Sequence, residues 1–157
     1  MSSFVVFFLH RNSLNAIDGY EATCFLEYDL NQDGQNDFNR WGWSNGPLAP
    51  GSYTFDLYAA AGQCDLTKGT LIGTLTVEYD GLAATVTYHV NPPYTLVETH
   101  LYIGSDYLPK NNGEYTVAPG QYPNIHSELA NVYEDIYMVT NLSGDIYVVA
   151  HGTVAGF

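Results

Sequence analysis

A chain of 157 residues with 17 acidic against 4 basic side chains carries a formal charge of −13. That balance excludes a nucleic-acid or anionic-membrane partner, each of which needs clustered Lys and Arg, and leaves a surface that draws divalent cations. Charged residues make up only 13% of the sequence while glycine numbers 15 and tyrosine 14, which fits Tyr- and Thr-faced strands without long helices, in a single domain over residues 1–157.

The first element is Phe4-Val5-Val6-Phe7-Phe8-Leu9, apolar at every position, so both of its faces require burial. It reads as a central strand near 4–10, or as an assembly strand that pairs with a neighbouring subunit through the backbone of an open sheet edge. The run is too short to span a membrane and lacks the basic start and small-residue cleavage site of a secretory signal. An exported form is then the mature chain with its signal peptide removed.

Ala22 to Tyr28 reads as a strand that delivers the chain to Asp29-Leu30-Asn31-Gln32-Asp33-Gly34-Gln35-Asn36-Asp37. Oxygen-bearing side chains at alternate positions, with glycine sixth, are the ligand spacing of a calcium loop, which predicts Ca²⁺ held by Asp29, Asn31, Asp33, Gln35 and Asp37. Arg40 stands where an EF-hand keeps its bidentate glutamate, so the loop is of another kind. The alternative is an Asx-rich turn that needs no ion. Cys24 and Cys64 allow one disulfide, expected in an oxidising compartment, or else serve as two small buried hydrophobes.

Trp41 and Trp43 share a strand face and, with Tyr53, Tyr58 and Tyr102, supply either a platform for sugar rings or core packing. Alternation follows: Tyr53, Phe55 and Leu57 against Thr54 and Asp56, then Leu71, Leu75, Val77 and Tyr79 against Ile72, Thr74, Thr76 and Glu78. Asp80-Gly81 joins that strand to one placing Leu82, Ala84, Val86, Tyr88 and Val90 on a single face, a hairpin signal. Further strands are predicted near 95–103, 133–140 and 145–154, and a single helical turn between Pro119 and Asn131. Asn91-Pro92-Pro93 is a candidate subdomain boundary, although neither side is long enough for its own core. The sum is an all-β, antiparallel, jelly-roll-like β-sandwich of about nine or ten strands.

Chemistry is sparsely written. His100, His126 and His151 lie near Glu98, Glu128 and Asp145 and would bind zinc or copper if they converged, but their spacing has no H-x-x-x-H or H-x-H pair. His10 and His89 read as ordinary strand positions. No nucleophile elbow, phosphate loop or cysteine–histidine motif occurs, and Glu134 and Asp135 are adjacent in a strand and point to opposite faces, unlike a glycosidase pair. The chain therefore does not read as an enzyme. Asn141-Leu142-Ser143 matches a glycosylation sequon.

The passages WGWSNGPLAPGSYTFDLYAAAGQCD, ETHLYIG, APGQYP and YVVAH resemble the signatures of a module found in secreted and cell-surface proteins of bacteria, across about residues 20–154. The resemblance touches Cys24, Trp41, Trp43, Cys64, His100, His126 and His151 and implies an all-β fold and an extracellular or surface location, with no activity attached. A looser likeness, of architecture and ion signal only, is to calcium-dependent extracellular tubules and filaments. The expectation is a structural, self-assembling extracellular subunit whose partner is itself. The rivals are a cell-surface adhesion or carbohydrate-binding module and a histidine-based metalloprotein.

Overall fold

The computed structural model describes residues 5–11 and 21–156. Twelve strands run β1 (Val5–Arg11), β2 (Glu21–Cys24), β3 (Trp43–Leu48), β4 (Gly51–Ala59), β5 (Thr70–Tyr79), β6 (Ala84–Val90), β7 (Thr95–Gly104), β8 (Lys110–Asn111), β9 (Glu114–Tyr115), β10 (Asn124–His126), β11 (Glu134–Val139) and β12 (Ile146–Ala155). Among the described residues, helical structure is confined to four short 3₁₀ turns at Phe25–Glu27, Gly62–Cys64, Leu66–Lys68 and Pro119–Gln121. The fold is all-β with antiparallel pairing, as a β-sandwich requires.

Ten strands form one sheet along the path β10-β7-β12-β1-β4-β5-β6-β11, with β3 on β12 and β2 on β3 as a branch. One edge of β12 is shared: β3 pairs at Ile146 and Val148, and β1 pairs from His151 to Val154. The sheet doubles back on itself, since Leu96, at the start of β7, and Val132, just before β11, exchange backbone hydrogen bonds of 2.7 and 3.3 Å. The main core fills the space between, with Phe55, Leu57, Leu75, Val77, Val86, Tyr88, Leu96, Leu101, Val148 and Val154 all buried. This core holds residues from both sides of Asn91-Pro92-Pro93, a turn in which Tyr94 N donates to the Asn91 carbonyl at 2.9 Å.

The alternation read from sequence holds along β4, β6 and most of β5, and fails at one point. Leu57 pairs with Gly73 but Tyr58 with Leu71, so Ile72 is an extra residue in β5 and the facing of the strand reverses there. Ile72 is consequently buried and Leu71 is 52% exposed. The Asp80-Gly81 hairpin forms, but with a four-residue loop. Asp80 Oδ1 accepts both Leu82 N and Ala83 N at 2.8 Å, and Leu82 rides the tip. Asn45-Gly46-Pro47, despite its turn-favouring residues, lies inside β3, where Tyr147 packs so closely on Gly46 that a Cβ there would stand 2.5 Å from the ring.

A second cluster forms on the opposite face of the β7–β12 pair. Phe25, Trp43, Leu108, Val117, Tyr122 and Val149 are buried there, beneath the segments 25–42 and 105–122. The Cys24–Cys64 disulfide, across forty residues of sequence, ties β2 to the turn after β4 at the edge of this cluster. The strand predicted through Tyr28 ends at Cys24, because a 3₁₀ turn begins there. Glu27 Oε2 accepts Cys24 N at 2.9 Å, the reciprocal contact of a capping box.

Gly73 sits at the bulge with no room for a side chain, since a Cβ there would lie 1.9 Å from the His89 carbonyl oxygen. Gly73→Ala is therefore expected to lower unfolding free energy by about 1–3 kcal/mol through backbone displacement, read as a shift in the denaturant midpoint with an unchanged slope.

Candidate functional site

Strand β7 presents Glu98, His100 and Tyr102 on one face and Thr99, Leu101 and Ile103 on the other, as the two-residue period demands. His100 lies directly opposite His151 of β12, on the face that carries the second cluster. The two imidazoles meet with Nδ1 atoms 2.8 Å apart, and His100 Nε2 lies 2.9 Å from Glu98 Oε1. Because a carboxylate only accepts, the Glu98 contact fixes the proton on His100 Nε2. The Nδ1 of a neutral His100 then accepts the Nδ1–H of His151.

Both rings are almost completely covered, at 6% and 5% exposure, yet both border a cleft of about 470 Å³ whose other walls are Asn39, Arg40, Trp41, Pro119 and Gly120. Burial pushes the His100 pKa down, partly offset by Glu98. Burial pushes that of His151 well down, reinforced by His100 and Arg40. The pair is thus held neutral, and Arg40 is the cation of the cleft.

His126 does not join them. It pairs across from Thr99, on the opposite face of β7, and its Nδ1 lies 2.9 Å from both oxygens of Asp135. Its ring stacks on Tyr137 at 3.9 Å and 5°. Thr99 Oγ1 donates to Asp135 Oδ2 at 2.5 Å, and Tyr137 Oη donates to the Thr99 carbonyl at 3.1 Å. His126 therefore belongs to a polar seam that fastens β11 to β7 and β10. His89 faces out beside Glu134, 3.3 Å away.

The Asp29 to Asp37 loop is exposed and folded on its own carboxylates. Asp29 accepts Asp33 N at 3.0 Å and Gly34 N at 2.7 Å, Asn31 Oδ1 accepts Asp33 N at 3.3 Å, and Asp33 Oδ1 accepts Gln35 N at 2.8 Å. Asp37 accepts Leu30 N, and its own amide donates to the Tyr28 carbonyl at 3.0 Å, closing the loop at its base. Gly34 takes φ +83°, as the glycine signal requires. Among the described residues no set of three or more His, Cys, Asp or Glu side chains is gathered as a metal group.

Of the proposed sugar platform, Trp43 is 3% exposed and packed in the second cluster. Trp41 precedes the strand, meets Trp43 edge-on at 5.9 Å, and alone of the two lines the cleft. Sequence reading placed both on one strand face, but β3 begins only at Trp43. Of the assembly strand, Phe4 lies outside the described residues. The backbone of Val5, Val6, Phe7, Phe8 and Leu9 forms part of β1, which pairs with β12 and β4 of its own chain. Sequence reading missed Asn39, Arg40, Pro119 and Gly120 as cleft walls. The available signal was Glu98 two residues before His100, which in a strand puts both on one face.

The fold and site define an all-β, disulfide-bearing protein with a histidine-floored cleft, and among the described residues no helix is long and apolar enough to cross a membrane. Compared with known proteins, the chain matches no family model, no curated protein and no solved structure.

The neutral pair gives a pH dependence of definite sign. Both folded-state pKa values lie below the ordinary 6.5, so below about 6.5 the unfolded chain binds more protons. Stability is full above that pH and is lost as pH falls through the window beneath it, at up to about 1.4 kcal/mol per pH unit for each such group. Thermal unfolding from pH 7.5 to 5 in chelator-containing buffer is expected to show this fall, and His151→Gln is expected to flatten it.

Proposed function

We propose that the protein is an extracellular structural subunit that self-assembles by exchanging its first strand and is stabilised by calcium at the Asp29 to Asp37 loop. The observation that carries this reading is the place of β1. Among the described residues, β1 supplies the only ladder between named strands that joins the half-sheet β10-β7-β12-β3-β2 to the half-sheet β4-β5-β6-β11. Phe7 pairs with Ala59 on one side and Gly152 on the other, both distant in sequence, so no hairpin turn holds β1 in its slot. A second copy's β1 would make the same backbone hydrogen bonds, and exchange would cost no ladder.

The calcium part rests on charge. Asp29, Asp33 and Asp37 crowd nine residues of an exposed loop, and among the described residues no Lys or Arg forms an ion pair with them. A divalent ion bound only by the ordered loop would relieve that repulsion and stabilise the folded and assembled state by mass action, about 2.7 kcal/mol at a hundredfold excess over Kd. The disulfide and the bacterial surface modules that the sequence resembles favour an extracellular setting.

A second reading, a surface adhesion or carbohydrate-binding module, is favoured by the Trp41-walled cleft. Negative-stain microscopy of the purified protein with excess calcium and with chelator separates the two. Ordered fibres or tubes that disperse on chelation are expected. A variant lacking residues 1–11 is expected to remain soluble, form no polymer and take up a synthetic peptide of residues 1–11. Dispersed monomers in both conditions, with retention on a glycan column, would overturn assembly in favour of the adhesion module.

A further inference from the structure

We propose that the His100–His151 pair binds a borderline transition-metal ion, Cu²⁺ or Zn²⁺, through the two Nδ1 atoms, with the cleft as its entrance. The inference is independent of the assembly reading. With Nε2–H of His100 committed to Glu98, the Nδ1 lone pair of that ring faces His151, which offers its own Nδ1 from 2.8 Å away. An ion about 2.0–2.1 Å from each nitrogen at a tetrahedral angle needs them about 3.3 Å apart, an opening of roughly half an ångström.

The bonds balance without a redox step. The metal forms two N–M bonds, one to each Nδ1, and the hydrogen bond between the rings breaks. The His151 Nδ1 proton passes to solvent, and solvent returns one to Nε2 of the same ring. The ring changes tautomer and keeps its charge. Glu98 then stands behind His100 as the carboxylate that orients a ligating imidazole, an arrangement that tightens metal sites.

Donor chemistry selects the ion. Imidazole nitrogen suits copper and zinc and is a poor partner for calcium, whereas the Asp29 to Asp37 loop offers only oxygen. Among the described residues no set of three or more His, Cys, Asp or Glu is gathered to hold a metal, and Glu98 is engaged behind His100, so the remaining positions are left to water or a small ligand entering the 470 Å³ cleft. Arg40 on the cleft wall opposes a bare cation and suits one that carries an anionic co-ligand.

The test is calorimetric titration of chelator-treated, full-length protein with CuSO₄ and ZnCl₂ at neutral pH, beside imidazole ¹⁵N NMR with zinc. One ion per chain is expected, copper tighter than zinc, with the protonated nitrogen of His151 moving from Nδ1 to Nε2. His100→Asn and His151→Asn, their folding confirmed by circular dichroism, should each lose affinity by about tenfold or more, and Glu98→Gln by about 10–100-fold. His100→Gln and His151→Gln replace any Asn variant that does not fold. His126→Asn should leave affinity unchanged, because that ring lies on the other face of β7. Uptake that persists in folded His100 and His151 variants, or that vanishes in the His126 variant, overturns the assignment, as does the lack of stoichiometric uptake by the native chain.

Discussion

The ladder between β7 and β12 is the constraint on which the rest of the molecule depends, because the two core clusters lie on its opposite faces. Its inward residues Leu96, Leu101, Ile103, Val148, Ala150 and Val154 build the main core, while Val149 and Tyr102 face the second cluster. Packing leaves little of the pair to water beyond partly exposed side chains such as Glu98. Thr99, His100 and His151 are nevertheless buried there, and each finds a partner: Asp135 and Tyr137 for Thr99, Glu98 for His100, and His100 for His151. Two polar clusters follow, one per face, and they do different work because the strand period keeps them apart.

The two half-sheets are held together by three unlike contacts. The β1 ladder supplies backbone hydrogen bonds on one side, and the Leu96–Val132 bridge with the Thr99, Asp135 and Tyr137 seam closes the other. Between them Tyr88 crosses the core from β6, donating its hydroxyl to the His100 carbonyl at 2.8 Å with the His151 carbonyl 3.4 Å away. Burial drives the Tyr88 pKa well above its usual value, which keeps the hydroxyl a donor. The histidine pair thus has its backbone wired to the core and its rings turned to the cleft. The separation explains how a cleft floor retains its geometry when its own side chains are few.

Strand positions were legible wherever one face is buried and the other is wet. Tyr53 to Leu57, Leu75 to Tyr79 and Ala84 to Val90 alternate in sequence because their outer residues touch water. Asn112-Gly113 turns the β8–β9 hairpin by local chemistry, with both residues at positive φ. Legibility ended where tertiary contact overrode local preference. Ile72 reversed the face of β5 through a bulge that no period-two count anticipates, and Asn45-Gly46-Pro47 entered a strand because Tyr147 packs against the bare Cα of Gly46. For the site, Glu98 beside His100 was readable as a same-face pair, while the meeting of His100 with His151 depended on a register between strands fifty residues apart. The separation of His126 was equally out of reach, since nothing local says which face β10 presents to β7.

The acidic loop and the cleft read as separate features in sequence but are consecutive in space. Asp37 closes the loop at Tyr28, and the next residues, Asn39, Arg40 and Trp41, leave it to become one wall of the cleft. The base of the segment is pinned again where Phe25 N donates to the Gly42 carbonyl at 2.8 Å and where Cys24 is bridged to Cys64. The loop carboxylates and the cleft wall therefore share one short stretch of backbone, held at its base on both sides.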